Sequence, residues 1–428
     1  MLDIKLIRKE PDLIEKKLKD KDPNANVRVV LELDHRLREH KTKVEQLKAT
    51  RNEVSQKIGE LKRQGKDAAD LMNSVAGIAE EIHSIDCHIT PLEEQFTFAL
   101  ASLPNLPMDD IKISQNPHEN VILKEYGKKP EFDFPFKHHL ELNEKLHLFD
   151  FKRAANISGG GWPMYRGMGA RLEWALINYM LSVHVKKGYE QIMPPLLVRR
   201  EVMFGSGQLP KFDNQQFKIH DNNFHLYLIP TSEVPLNSLH ADETLTEDQL
   251  PLRYTSYTPC FRREAGAAGS TERGLIRTHQ FNKVEMFCFT TQEGSQAMFN
   301  SMVESAEEIL QGLGLHYRNM LLVTGDMSYA AAKTIDVEVW LPGQNRYYEV
   351  SSISNCTDYQ ARRSHIRYKT KDGKTEFVHT LNGSGLATSR LMVSLLENNQ
   401  NADGSVNIPK VLQPYLDGIT KLIPSAEK

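Results

Sequence analysis

The sequence predicts an α+β chain: an antiparallel two-helix coiled-coil arm, then a domain whose antiparallel β-sheet is flanked by helices. Three observations carry this. The N-terminal quarter has few glycines, no tryptophan, and apolar residues at alternating intervals of four and three, a heptad seam. Beyond a proline cluster, short β-type runs alternate with amphipathic helical ones and lie close enough in sequence for meander pairing. Neither Gly-x-Gly-x-x-Gly nor Gly-x4-Gly-Lys-Ser/Thr occurs, which argues against a Rossmann or P-loop nucleotide site.

The arm's incoming helix carries its seam on Leu33, Leu37, Val44, Leu47, Val54, Ile58 and Leu61, with His40 and Arg51 at the missing seam sites. A turn at Arg63-Gln64-Gly65-Lys66-Asp67 follows. The seam resumes at Leu71, Val75, Ile78, Ile82, Ile85, Ile89, Leu92, Phe96, Ala99 and Leu103. So short a turn forces the helices antiparallel, giving an arm ~45 Å long from ~30 residues a side. Pro91 lies off the seam and should kink the outgoing helix rather than end it. Charge is asymmetric: Arg36, Arg38, Lys41, Lys43, Lys48, Arg51, Lys57, Lys62 and Arg63 line the incoming helix, while Asp70, Glu80, Glu81, Asp86, Glu93 and Glu94 line the outgoing one. Either the two rows pair across the coil, or part of the basic row faces outward to a partner.

The prolines Pro104, Pro107, Pro117, Pro130 and Pro135 read as a linker, so the arm takes residues 1–108 and the second domain 109–428. In that domain helices are expected at Arg171–Lys187, Gly294–Leu313 and Ala387–Asn398. Strands are expected at Leu226–Pro230, Tyr254–Phe261, Lys283–Thr290, Val337–Leu341, Arg346–Ser352 and Glu376–Leu381.

At 428 residues two domains are expected, and 53 Lys+Arg against 56 Asp+Glu leave net charge silent about nucleic acid. Four cysteines, Cys87, Cys260, Cys288 and Cys356, have no C-x-x-C spacing and fit a reducing cytosol. Met1–Leu13 lacks an apolar leader core, and no stretch approaches the ~20 apolar residues of a membrane span, so a soluble intracellular chain is expected. His138, His139, His83 and His88 do not group with cysteines at zinc spacing.

The densest chemistry lies between Pro259 and Phe289. Leu252–Phe261 and Gln280–Phe289 read as strands joined by a loop at Gly266–Gly274. Phe261-Arg262-Arg263-Glu264 stands at one strand end, and Arg277-Thr278-His279-Gln280-Phe281-Asn282-Lys283-Val284-Glu285 at the other. Arginines fixed where strand becomes loop suit a polyphosphate, and the loop would cover it. An ordinary surface hairpin could use the same residue types, so the wider pattern decides.

This hairpin resembles motif 2 of the class II aminoacyl-tRNA synthetases. Leu381-Asn382-Gly383-Ser384-Gly385-Leu386-Ala387, leading into Thr388-Ser389-Arg390-Leu391-Met392-Val393, resembles motif 3. The run from Gly169 to Lys186 and then Gly188-Tyr189-Glu190-Gln191-Ile192-Met193-Pro194-Pro195 resembles motif 1. Four more particular strings are similar to the bacterial type of seryl-tRNA synthetase. They are Thr231-Ser232-Glu233, Glu349-Val350-Ser351-Ser352, Ser354-Asn355-Cys356-Thr357-Asp358-Tyr359-Gln360-Ala361-Arg362-Arg363 and Gly404-Ser405-Val406-Asn407-Ile408-Pro409. This resemblance spans the whole chain, arm included. Thr388-Ser389 departs from the smaller or more apolar pair often found there, which bears on local helix packing and not on Arg390.

The resemblance implies a serine–tRNA ligase with a class II antiparallel catalytic sheet. Serine attacks the α-phosphorus of ATP, and the seryl group then passes to the 3′ end of tRNA. Arg262 would bridge the α-phosphate and the serine carboxylate, with Arg263 beside it. Glu264 would accept from the adenine amino group, Arg277 would orient the loop and phosphates, and Phe281 would stack on adenine. Arg390 would meet the γ-phosphate or the adenine's other face. Glu349 and Ser352 would ligate Mg²⁺, with Val350 and Ser351 also against ATP. Serine would be held by Thr231, Ser232, Glu233, Glu285, Asn382 and Ser384, with Glu233 taking the ammonium and Glu285 the hydroxyl. Gly383 and Gly385 would let the backbone approach the ligand, and His279 would orient the loop rather than act as a base. The same resemblance implies tRNA(Ser), and also tRNA(Sec), gripped by the arm, and a homodimer built through motif 1. Two other classes fit parts of the sequence: an amino acid:carrier-protein ligase, which would lack the arm, and a non-catalytic coiled-coil scaffold, which could dispense with Arg262, Glu264 and Arg390.

Overall fold

The computed structural model describes residues 1–264 and 274–425, in two compact units, Leu2–Pro104 and Asn105 onward together with Met1. The predicted loop at Gly266–Gly274 falls, except for Gly274, outside the described residues.

The first unit is helical: α1 (Ile4–Lys9), α2 (Pro11–Lys19), α3 (Val27–Arg63) and α4 (Ala69–Ala101). Asn26 caps α3 by accepting from the Arg28 N–H, and Gly65 in the turn adopts φ +70°, where a side chain would be strained. The 37 residues of α3 make it about 55 Å long. It exceeds the sequence expectation because it starts six residues before Leu33, in a stretch where Val27 and Val30 are buried and the helix contacts α1 and α2. Every expected seam residue is sheltered, and His40 and Arg51 shelter with them. Pro91 sits exposed inside α4, which runs on through it. The two charged rows pair only in part across the coil, and part of the basic row faces outward. Lys41 pairs with Glu93 at 2.6 Å and Lys43 with Glu81 at 2.7 Å. Lys48, Lys57 and Lys62 are exposed and form no ion pair among the described residues.

The second unit is organised by an eight-stranded sheet. Its strands are β1 (Val121–Tyr126), β2 (Glu190–Gln191), β3 (Leu252–Phe261), β4 (Gln280–Thr290), β5 (Tyr317–Leu321), β6 (Lys333–Leu341), β7 (Arg346–Asn355) and β8 (His379–Ala387), in the order β1-β5-β6-β7-β8-β4-β3-β2. All pairs are antiparallel except β2 with β3. The hairpin β3–β4 keeps one register from Leu252↔Phe289 to Phe261↔Gln280. Helices α5 (Met168–Lys186), α7 (Ser295–Gly312) and α8 (Thr388–Asn398) pack on the sheet, and α6 (Glu233–Asn237) is a short turn of helix beside it. Phe299, Met302, Leu176 and Leu396 are fully buried between these layers. Each such side chain contributes about 1.5–3 kcal/mol. No described helix is long and apolar enough to cross a membrane.

Three expectations need correction. The predicted linker contains β1, an edge strand whose six residues are all exposed, so no inside/outside alternation marks it in the sequence. Leu226–Pro230 is instead Phe224–Leu228, in a separate three-stranded sheet. The strand expected at Glu376–Leu381 is broken at Val378 into Thr375–Phe377 and β8, which belong to different sheets.

Candidate active site

Strand β4 lays out the site. Phe281, Lys283 and Glu285 alternate with Asn282 and Val284, so they project from one face of the sheet. Over that face lie two adjoining cavities, of about 400 Å³ and about 290 Å³. Arg262, Lys283, Glu349, Ser384 and Gln215 line both, and so form the wall between them.

The larger cavity gathers Thr231, Glu233, Glu285, Asn382 and Ser384 with Ser352 and Ser354. Glu285 is 1% exposed and forms an ion pair with Lys283, itself 6% exposed. Thr231 Oγ1 donates to Glu285 Oε2 at 3.0 Å and accepts from Lys283 Nζ at 2.7 Å. Gln360 Nε2, at 2.6 Å, and Asn382 Nδ2, at 3.2 Å, both donate to Glu233 Oε1. Burial, and next the charge on Glu285, push the Glu233 carboxyl up to about 7, against the opposing pull of Lys283, Gln360 and Arg262. A small polar cavity with one carboxylate at each of two points can hold an ammonium and a hydroxyl together.

The smaller cavity gathers Arg262, Glu264, Arg277, Phe281, Ser389 and Arg390 around Glu349. The Arg262 guanidinium lies 5.2 Å from the Phe281 ring centre, and Arg277 Nε binds Glu264 Oε2 at 2.8 Å. Arg390 Nη1 donates to the Glu349 carbonyl at 2.8 Å and lies 3.6 Å from its carboxylate. Aromatic face, guanidinium groups and carboxylates together suit a purine nucleotide with its phosphates.

Glu349 and Ser352 share the larger cavity although they are three residues apart. Strict alternation would place them on opposite faces. A β-bulge opposite Val337/Glu338 inserts Val350 as an extra residue and resets the phase. The bulge also explains why Val350 and Ser351 line neither cavity. Val350 joins the hydrophobic core, and Ser351 Oγ donates to the Ser384 carbonyl. Asp336, paired opposite Ser352, keeps Oδ1 buried and without a partner among the described residues. Burial, then the neighbouring Glu349 charge, push its carboxyl well above the usual range. The side-chain oxygens of Glu349 and Ser352, which line the larger cavity together, are hard donors and fit Mg²⁺.

Other predicted residues are placed differently. Arg263 lines neither cavity, and its Nη1 donates to the Asn214 carbonyl at 3.3 Å. Ser232 is buried against Thr258 at 2.8 Å and is likewise outside both cavities. Thr231 stands in the turn that leads into α6, and Glu233 opens that helix. Gly383 and Gly385 answer to the protein rather than to a ligand. A Cβ at Gly383 would sit 3.0 Å from Ile353, and one at Gly385 would sit 2.3 Å from His184 Nε2. His279 lines neither cavity; it packs on Trp162 with Nδ1 3.1 Å from the Arg262 carbonyl.

Sequence reasoning missed Lys283 and Gln360. Lys283 carried a usable signal, a cation two residues from Glu285 in a strand otherwise apolar beyond it. Gln360 reaches Glu233 from a distant helix (Tyr359–Ser364), which no local pattern foretells.

Residues 1–107 match the family model for the seryl-tRNA synthetase N-terminal domain, and residues 216–399 match the class II tRNA synthetase core domain of the G, H, P, S and T enzymes. The serine–tRNA ligase of Chlamydia pneumoniae is 53% identical over 424 residues, covering 99% of each chain. Among solved structures, the seryl-tRNA synthetase of Pyrococcus horikoshii complexed with ATP superposes with a TM-score of 0.92 at 36% identity over 100% of both chains. The cytoplasmic serine–tRNA ligase of Naegleria fowleri in complex with AMP gives 0.87 at 30% identity, covering 100% of this chain and 99% of that one. With an arm, a class II catalytic sheet and relatives of this similarity along its whole length, the chain belongs to the seryl-tRNA synthetases, the serine–tRNA ligases of class II.

Proposed function

We propose that the larger cavity binds L-serine, that the smaller binds ATP, and that Arg262 in their common wall holds the two reacting anions together. The observation that carries this is the layout of β4: Phe281 in one cavity, Lys283 in the wall and Glu285 in the other. Glu233 takes the serine ammonium, and Glu285, held by Lys283 and Thr231, accepts the hydroxyl. Asn382 and Ser384 close the pocket. Phe281 stacks on adenine, Glu264 reads its amino group, Arg277 orients Glu264, and Arg390 meets the terminal phosphates. Mg²⁺ would be held by Glu349 and Ser352, and it neutralises phosphate charge when bound there.

A serine carboxylate oxygen attacks the α-phosphorus, the bond to the β-phosphate oxygen breaks, and pyrophosphate leaves. Arg262 offsets the charge that builds on the five-coordinate phosphorus, and alignment of the two anions supplies most of the remaining acceleration. The 3′-terminal ribose hydroxyl of tRNA(Ser), or of tRNA(Sec), then takes the seryl group and AMP departs. Lys48, Lys57 and Lys62 on the arm meet tRNA phosphates. The exposed Trp174 and Val185 on α5, with exposed Met193 beyond it, support a homodimer through that segment. The enzyme works in the cytoplasm. The test is serine-dependent ATP–pyrophosphate exchange, with threonine and alanine as controls. Exchange with serine alone is expected, and equal exchange with alanine would overturn the pocket assignment.

A further inference from the structure

Glu173 lies outside both cavities, yet its carboxylate joins segments that build one of them. It sits in the first turns of α5 and is 4% exposed. Its Oε1 accepts from Asn282 Nδ2 at 2.9 Å and from the hydroxyl of Thr388, the first residue of α8. The Tyr257 hydroxyl donates to Asn282 Oδ1 at 3.2 Å, which extends the network to β3. Glu173 Oε2 and the buried Tyr165 hydroxyl have no hydrogen-bond partner among the described residues. Tyr165 and Tyr257 both feel the Glu173 charge.

Strand alternation explains this placement. Phe281 and Lys283 face the cavities, so Asn282 between them points to the other side of the sheet, onto α5. Thr388 stands two residues before Arg390 in the same helix. The Phe281 ring and the Arg390 guanidinium, which both line the smaller cavity, are therefore both tied, one residue and two residues away, to a single carboxylate. Lys283 has anchors of its own in Glu285 and Thr231, so the larger cavity depends less on this tie.

We propose that Glu173 is a positioning residue for ATP: through Asn282 and Thr388 it fixes the spacing between Phe281 and Arg390. This rests on the assignment of the smaller cavity to ATP. The test is serine-dependent ATP–pyrophosphate exchange by the full chain and by Glu173→Ala, Glu173→Gln and Thr388→Val, with thermal melting of each. Exchange by the unaltered chain with a saturable ATP dependence tests the ATP assignment by itself; its absence would overturn that assignment and this proposal together. Glu173→Ala is expected to raise KM for ATP about tenfold and to change KM for serine less than about twofold. Glu173→Gln keeps an acceptor oxygen for both donors and should return KM for ATP to within about twofold. Thr388→Val, which removes one donor and keeps the shape, should raise it about threefold. Parallel rises in both KM values, or a Gln variant as impaired as the Ala variant, would overturn the proposal. Should Glu173→Ala not fold, Thr388→Val decides: an unchanged KM for ATP overturns the proposal and a selective rise sustains it.

Discussion

Burial and the charge on Glu285 push the Glu233 carboxyl up to about 7, so serine should bind about tenfold more weakly near pH 6 than near pH 8. The ammonium of serine needs the ionised carboxylate. One pH unit below its pKa about a tenth of Glu233 is ionised, and one unit above about nine tenths, a ratio near ten or about 1.4 kcal/mol. The sign follows from the direction of the shift: a carboxyl at its ordinary value would stay ionised throughout this range and give no dependence. Asn382 and Gln360 donate to Glu233 Oε1 in either state, so the geometry survives protonation and only the charge is lost. The assay is KM for serine in ATP–pyrophosphate exchange, repeated by calorimetric titration of serine. Glu233→Gln should bind more weakly at every pH and lose the dependence. A pH dependence of equal size in Glu233→Gln would refute Glu233 as the ammonium receptor, as would a flat profile in the unaltered chain.

Glu285→Ala should cut serine-dependent exchange about 100-fold and narrow the preference over alanine, since the hydroxyl loses its acceptor. It should also cost about 3–5 kcal/mol in chemical denaturation, because Lys283 is left buried without its carboxylate. Glu173 has a folded value near 7 and an ordinary one of 4.5, so the stability it contributes when protonated is fully present below about 4.5 and lost as pH rises through 7. Glu173→Gln should therefore gain on the unaltered chain between about pH 4.5 and pH 7, by up to about 3 kcal/mol in denaturant melts, then level off. Charge reversal at Lys48, Lys57 and Lys62 should raise KM for tRNA about tenfold and leave ATP–pyrophosphate exchange unchanged.

Much of this was legible in the sequence where one local rule governs. The β3–β4 hairpin follows from alternating residues and turn composition, and its register places Phe281, Lys283 and Glu285 together without further information. The arm follows from its heptads, down to the sheltered His40 and Arg51. What escaped depends on contacts between distant segments. The bulge at Val350 has no signature in its own residues, yet it decides that Ser352 joins Glu349 and that Val350 and Ser351 do not. Gly383 and Gly385 were expected to admit a ligand, but the surfaces that require them belong to Ile353 and His184. Strand β1 lies at the sheet edge with all six residues exposed, so it shows no alternation and its residues read as linker.

The most direct test that this chain joins serine to tRNA is transfer of labelled serine to unfractionated tRNA, with ATP and Mg²⁺ and with threonine and alanine as controls. Charging with serine, none with alanine and little with threonine is expected. Serine-dependent pyrophosphate exchange without any charging of tRNA would contradict it.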